Sequence, residues 1–152
     1  MQVWRLVKTK YVDSAFDGEG ARRYGGRWSS PGTRVAYAAG NSALAVLEVL
    51  VHLGDATMLP AYSLIEASVP DGLIATLPPA ALPPGWNGSP VPPMVQAVGD
   101  AWVRSASNLA LRVPSAEVPS GFNLLLNPSH SSFERVAITS IERFQFGPRL
   151  LR

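Results

Sequence analysis

The chain has 152 residues and no cysteine, which rules out disulfides, thiolate nucleophiles and cysteine-ligated zinc. Histidine is nearly as scarce. His52 and His130 are the full set, too few for a multi-histidine metal site, so no metal is expected. Lysine occurs only at Lys8 and Lys10, and eleven of the thirteen cationic side chains are arginine. Arginine favours planar, bidentate recognition of phosphate or carboxylate. The formal net charge of +2 is small, and lysine is not interleaved with the arginines, so direct nucleic-acid binding is not expected. The longest mostly apolar stretch, Ala43 to Leu53, falls far short of the ~20 residues a spanning helix needs. The start, Met1-Gln2-Val3-Trp4-Arg5, lacks the basic-then-apolar pattern of a signal peptide. These absences lead to the expectation of a cytoplasmic protein that makes no use of a membrane. Familiar motifs are missing too. There is no Gly-x-Ser-x-Gly elbow and no P-loop, and Gly18-x-Gly20 lacks the strand-then-helix context of a dinucleotide fingerprint.

Acidic residues are also absent between Glu19 and Asp55, with the single exception of Glu48. That stretch holds most of what is unusual in the chain. It runs Gly18-Glu19-Gly20-Ala21-Arg22-Arg23-Tyr24-Gly25-Gly26-Arg27-Trp28, then a Ser-Pro-Gly turn, then Arg34-Val35-Ala36-Tyr37 and a largely aliphatic segment containing Glu48 and His52. The length suits one domain over 1–152, and an apolar fraction of 47% argues for a folded core.

Short strands are expected at Val3–Val7, Arg34–Ala38, Tyr62–Val69, Leu109–Val113 and Val136–Phe146, the last from its alternation. Lys8 to Thr33 reads as a long irregular segment packed by Tyr11, Phe16, Tyr24 and Trp28. Asn41 or Ser42 as N-cap and Gly54 past the end bracket a helix over Ala43–Leu53, apolar all round and therefore buried on most sides. Pro70 to Pro93 reads as a rigid surface loop. A second helix over Met94–Ser105 follows, with Met94, Val95, Val98 and Trp102 inward and Gly99 weakening it. Strands outnumber helices without regular βαβ alternation. The expected class is therefore α+β, with mixed, mostly antiparallel sheets and flanking helices.

A carboxylate on an apolar helix is costly to bury, so Glu48 must be hydrogen-bonded, paired or protonated. It is either a core residue tied to His52 or an arginine, or a carboxylate in a cleft. In the second role it suits stabilisation of the oxocarbenium-like transition state of N-glycosidic cleavage. Arg27, beside two glycines and a tryptophan, either bridges loop to core or forks onto a phosphate that glycine lets approach. Tyr37 is either core or a stacking partner for an aromatic ring. Arg22 and Arg23 read as surface charges or partner contacts. Ser115 after Pro114 and Asn127 before Pro128 are each accounted for by turn chemistry alone. A non-catalytic binding subunit, with the arginines docking an acidic partner, also fits these residues.

Seven short pieces in one order resemble the RES domain family, named for its Arg, Glu and Ser. They are Gly18-Glu19-Gly20-Ala21, Gly25-Gly26-Arg27-Trp28, Val35-Ala36-Tyr37, Leu44-Ala45-x-Leu47-Glu48-x-Leu50-x-His52, Gly99-Asp100-x-Trp102, Leu111-x-Val113-Pro114-Ser115 and Asn127-Pro128-x-His130. The resemblance covers nearly the whole chain. It implies a single RES-type NAD-binding catalytic domain with an ADP-ribosyltransferase-like fold, acting as the toxin of a bacterial type II toxin–antitoxin pair. The substrate implied is NAD+, cleaved at the nicotinamide–ribose bond by water (glycohydrolase) or by inorganic phosphate as co-substrate (phosphorylase). ADP-ribosylation of a protein is the alternative, and no prosthetic group is implied. The implied partner is an Xre-type helix-turn-helix antitoxin covering the cleft, and a homodimer is compatible with it. On this resemblance Arg27 holds the NAD+ phosphates and Tyr37 supports the nicotinamide end. Glu48 stabilises the ribosyl cation or orients the acceptor, Ser115 completes the pocket, and Asn127 joins the substrate-binding set. The chain departs from the family pattern at Ser29, often Asn, and at Ser131-Ser132, often Pro-Asp.

Overall fold

Seven strands form one sheet in the order β4-β5-β6-β2-β1-β3-β7. In the computed structural model, which describes residues 1–55 and 59–151, they are β1 (Gln2–Lys8), β2 (Ala36–Ala39), β3 (Tyr62–Ser68), β4 (Ile74–Thr76), β5 (Ala110–Pro114), β6 (Phe122–Leu126) and β7 (Ala137–Phe144). Among the described residues only the β4–β5 pair is parallel, so the sheet is mixed and mostly antiparallel, and the α+β architecture expected from sequence is the one found. The described α-helices are α1 (Glu19–Tyr24), α2 (Ser42–Leu50) and α3 (Pro93–Ser105).

The sheet is buried on both sides where its strands are apolar at every position. In β2 small residues allow layers to close in from above and below, and in β6 Leu124, Leu125 and Leu126 are all fully buried. One face carries Val3, Ala36, Ala38, Ile65, Leu124 and Leu126, covered by Ala15, Phe16 and Phe133. The opposite face divides between two covers. Trp28, Val95 and Trp102 pack on Val35, Leu111, Val113 and Leu125, while Leu44 and Ala45 of α2 pack on Ala39 beside Trp4.

Several expectations are corrected. The segment 8–33 is not irregular throughout: Thr9–Ser14 forms a 3₁₀ turn and Glu19–Tyr24 a short helix. That helix starts where Gly18 adopts φ 73° and the Asp17 carboxylate accepts the Glu19 N–H, and Glu19 then bonds Arg22 and Arg23 one turn on. Phe16 and Trp28 pack inward, but Tyr11 and Tyr24 are exposed. α2 ends at Leu50 rather than Leu53, with Asn41 as its N-cap through the Leu44 N–H. The proline-rich loop contains β4, three residues too short to show a period. Met94 points outward, 63% exposed, so the inner stripe of α3 is Val95, Val98, Gly99 and Trp102.

Gly99 does not weaken α3 in this fold; it lets the helix dock. A Cβ there would lie 1.6 Å from the carbonyl oxygen of Trp28. Gly20 in α1 has nothing within 4 Å of an added Cβ. Gly99→Ala is therefore expected to destabilise the protein by about 2–3 kcal/mol or more despite its better helix propensity, whereas Gly20→Ala stabilises it by up to about 1 kcal/mol. Urea unfolding of both variants reads the difference. An unchanged midpoint for Gly99→Ala would contradict the packing described.

Candidate active site

α2 starts only two residues after β2, so the cap at Asn41 fixes where its faces point. With Leu44 and Ala45 turned down onto Ala39, Glu48 falls one turn beyond Leu44, half-buried at the edge of that contact. Its Oε1 accepts two hydrogen bonds, from Ser115 Oγ at 3.0 Å and from Asn123 Nδ2 at 2.9 Å. Ser115 lies just past β5 and is fully buried. Its Oγ also accepts the Glu117 and Val118 N–H groups, each at 3.2 Å, which leaves its own proton for the carboxylate. The expected alternative partner is not used: His52 is exposed beyond the end of α2.

Arg27 and Tyr37 are brought together by the glycine-rich loop. Gly26 lies flat on the Tyr37 ring, where a Cβ would come within 2.6 Å of the phenol oxygen. That oxygen accepts the Trp28 N–H at 3.2 Å and pairs with Ser29 Oγ at 2.7 Å. Arg27, next in the chain, is half-buried, and its Nη1 donates to the carbonyls of Trp86 (3.0 Å) and Gly88 (2.9 Å). Trp28 and Trp86 stack with ring centroids 6.0 Å apart. The proline-rich loop is thus bound to the glycine-rich one and forms a wall beside Arg27.

Strand register relates the two groups. Ala39 pairs with Asn123 and Tyr37 with Leu125, so Tyr37 and Asn123 are diagonal neighbours on one sheet face, with Cα atoms about 7–8 Å apart. Glu48 hangs over Asn123, and the Arg27 loop rests on Tyr37. The sheet forms a floor, α2 stands on one side, and the glycine-rich and proline-rich loops stand on the other. Tyr37, Glu48 and Ser115 therefore lie near one another on this face, and Arg27 leaves the loop that rests on Tyr37 with its guanidinium tied to the proline-rich loop.

Asn127 does not join them. It follows β6 at the end opposite Asn123, roughly 13 Å away along the strand. Its Oδ1 accepts the Ser129 N–H at 3.0 Å and its Nδ2 reaches the Val103 carbonyl at 3.5 Å, so it organises a buried turn. Asn123 is not singled out by the sequence, and Ser29 stands out there only as a departure from the family pattern, not as a partner of Tyr37. The available signal for Asn123 was a lone amide inside Phe122-Asn123-Leu124-Leu125-Leu126. Two surface concavities lie elsewhere, and neither is lined by Arg27 or Glu48. One is an apolar groove of about 540 Å³ along Ala43, Val46, Leu50 and Phe144, and the other is a polar hollow of about 300 Å³ bounded by Arg22, Arg34 and Arg104.

Comparison with known proteins supplies an independent line. The model of the RES domain matches residues 2–147. A protein of Yersinia enterocolitica serotype O:8 named Toxin Res is 40% identical, with 99% of each chain covered. One from a Sphingobium strain named Prs ADP-ribosylating toxin is 34% identical, covering 98% of this chain and 96% of its own. Among solved structures, the M. tuberculosis MbcT–MbcA toxin–antitoxin complex contains a chain of the same fold, with a TM-score of 0.76, 24% identity, and coverage of 95% of this chain and 84% of that one.

Burial pushes the Tyr37 phenol up from 10.0 to about 12, against the lowering effect of its Ser29 and Trp28 hydrogen bonds. Below pH ~10 the phenol is protonated in both folded and unfolded chains, so it adds no pH dependence. Between about 10 and 12 only the unfolded chain gives up the proton, so stability falls with rising pH, by up to roughly 2–3 kcal/mol. Tyr37→Phe is expected to flatten this alkaline limb in urea unfolding at pH 9 to 12. The same slope in the variant would show that another group is responsible.

Proposed function

The chain belongs to the RES domain family, and from that premise we propose that it is the toxin of a toxin–antitoxin pair that breaks the nicotinamide–ribose bond of NAD+. The observation that carries the reading is Glu48, a carboxylate aligned by two neutral donors over the sheet face that Tyr37 also occupies. When the bond between C1′ and the nicotinamide nitrogen breaks, its electron pair leaves with nicotinamide and positive charge grows on the ribosyl ring. A fixed carboxylate stabilises that charge without reorganising. Arg27 is turned to the NAD+ phosphates in this reading: its Nη1 is held by the loop carbonyls, and the rest of the guanidinium fork remains for phosphate oxygens. Tyr37 supports the nicotinamide end in this reading, as the family resemblance implies. Ser115 and Asn123 keep Glu48 in place.

Water or inorganic phosphate as the acceptor gives a glycohydrolase or a phosphorylase. A protein nucleophile gives an ADP-ribosyltransferase, a second reading favoured by the Sphingobium relative's name. The proposed partner is an antitoxin of the Xre type, the partner class implied by the family resemblance. A relative of the same fold, from M. tuberculosis, was solved in a toxin–antitoxin complex.

Glu48→Gln and Arg27→Ala, in purified chain free of any antitoxin, are each expected to cut nicotinamide release from NAD+ by about 10²–10³-fold while melting close to wild type. Release at the wild-type rate in both would remove the site assignment. Added phosphate distinguishes acceptors: ADP-ribose phosphorylated at C1′ marks phosphorolysis and free ADP-ribose hydrolysis. Radiolabel carried from NAD+ onto protein marks the transferase.

A further inference from the structure

At the Ser30–Thr33 end of the glycine-rich loop lies the hollow of about 300 Å³ lined by Arg22, Thr33, Arg34, Asp100, Arg104 and Ser129 among others. Its three guanidiniums come from three places in the chain: α1, the turn before β2, and the last turn of α3. Such convergence is unusual where like charges repel, so the acidic groups around it decide what it can bind.

Three carboxylates are close. Asp100 is already taken. It accepts the Ser30 N–H and Oγ–H and a hydrogen bond from the Thr33 side chain. Burial pushes its carboxyl up, but these bonds, with Arg104 nearby, outweigh it and hold the carboxyl below its usual range. Asp17 accepts the Glu19 N–H at the start of α1. Glu19 alone serves Arg22, Arg23 and Arg34, with the Arg34 contact a long 3.4 Å, and these cations pull its carboxyl down to about 2. Among the described residues Arg104 has no hydrogen bond or ion pair of its own and interacts with Asp100 only through the charge between them. The hollow is therefore rimmed by guanidiniums whose charge the protein only partly answers, and all three are exposed, Arg22 and Arg34 over just under half of their side-chain surface.

We propose that the hollow framed by Arg22, Arg34 and Arg104 binds a phosphoryl oxyanion, at a site that shares no lining residue with the candidate active-site residues Arg27, Tyr37, Glu48 and Ser115. A planar carboxylate satisfies one arginine fork, whereas a tetrahedral oxyanion offers oxygens in three directions, which suits guanidiniums arriving from three elements. The lining adds Ser129, whose hydroxyl can donate, while the Thr33 hydroxyl is already committed to Asp100. The site also touches the loop that carries Arg27. Gly32 N–H bonds the Arg22 carbonyl and Ser30 bonds Asp100, so an anion gripping Arg22, Arg34 and Arg104 tightens the Ser30–Thr33 end of that loop against α1 and α3.

The test is isothermal titration of the whole chain with inorganic phosphate, and separately with a phosphomonoester such as glycerol 2-phosphate, at fixed ionic strength. Saturable binding is expected, weakened at least tenfold by Arg104→Glu and by Arg34→Glu and unchanged by Arg27→Ala. Arg104→Gln serves as the milder variant should charge reversal lower the melting temperature. Binding of the ester as well as the free ion assigns the site to phosphorylated ligands, and binding of the free ion alone to phosphate. No saturable binding, or binding lost in Arg27→Ala and retained in Arg104→Glu, overturns the proposal. So does binding of an oligoglutamate peptide without phosphate, which would make the hollow a seat for an acidic protein. These titrations need no turnover of NAD+, so they stand or fall apart from the proposed activity.

Discussion

The seating of the glycine-rich loop depends on one buried oxygen, the phenol of Tyr37. The loop has almost no ladder of its own, a single bridge between Gly26 and Ser29. The Tyr37 hydroxyl holds it to the sheet by accepting the Trp28 N–H and pairing with Ser29. Glycine is required on both sides of this arrangement. Gly26 allows the loop to lie on the phenol ring from above, and Gly99 allows α3 to lie on the Trp28 carbonyl. Gln96 adds a bond from its side-chain amide to the Gly26 carbonyl. With its neighbours fixed above and below, Arg27 has little freedom in where it emerges, and its contacts with Trp86 and Gly88 follow from that position.

The same tyrosine sits on a seam in the sheet. β1 pairs with β3 over all seven of its residues but with β2 only at Trp4 and Ala39. The Gly40 N–H bonds Phe122, which puts alternate β2 residues in hydrogen-bonded register with β6 and turns the Tyr37 carbonyl toward β1. Continuation of the β1–β2 ladder would place Leu6 opposite Tyr37, but the strands have parted by then. Arg5 fills the gap, its Nη1 donating to the Tyr37 carbonyl. Burial lowers the Arg5 pKa, with the Asp17 carboxylate working the other way. Its Nε has no partner among the described residues, which is the cost of using a large cation to close a seam between strands.

Much of this was legible in the sequence, and the exceptions share a cause. β1, β3 and α3 follow from patterns that repeat over a full element, and the α+β class follows from their number and spacing. The Asn41 cap was readable because capping is local chemistry. Tyr11 and Tyr24, expected inward, face outward, because an aromatic residue in a loop carries no period to say which way it points. Gly99 read as a helix weakness because its reason is a carbonyl seventy-one residues earlier in the chain. Asn127 and Asn123 illustrate the limit most directly. Both are amides at the ends of β6, and only the register with β2 and β5 shows that one meets Glu48 while the other closes a turn.

Whether Glu48 is scaffold or machinery turns on what holds it. A carboxylate kept for structure is cheapest to bury beside a cation, since the pair offsets the desolvation each would suffer alone. Glu48 has no such cation among its described contacts, and its partners are a serine hydroxyl and an asparagine amide, both neutral. Neutral donors orient a negative charge without cancelling its field, and both converge on Oε1, leaving Oε2 without a hydrogen bond among the described residues. Ser115 is itself fixed by two backbone N–H groups, so the carboxylate cannot swing toward solvent without breaking a buried hydrogen bond. An arrangement that keeps the charge, fixes its direction and leaves one oxygen open is poorly suited to supporting a core. It is well suited to meeting a positive charge that is absent in the resting protein and develops only during a reaction.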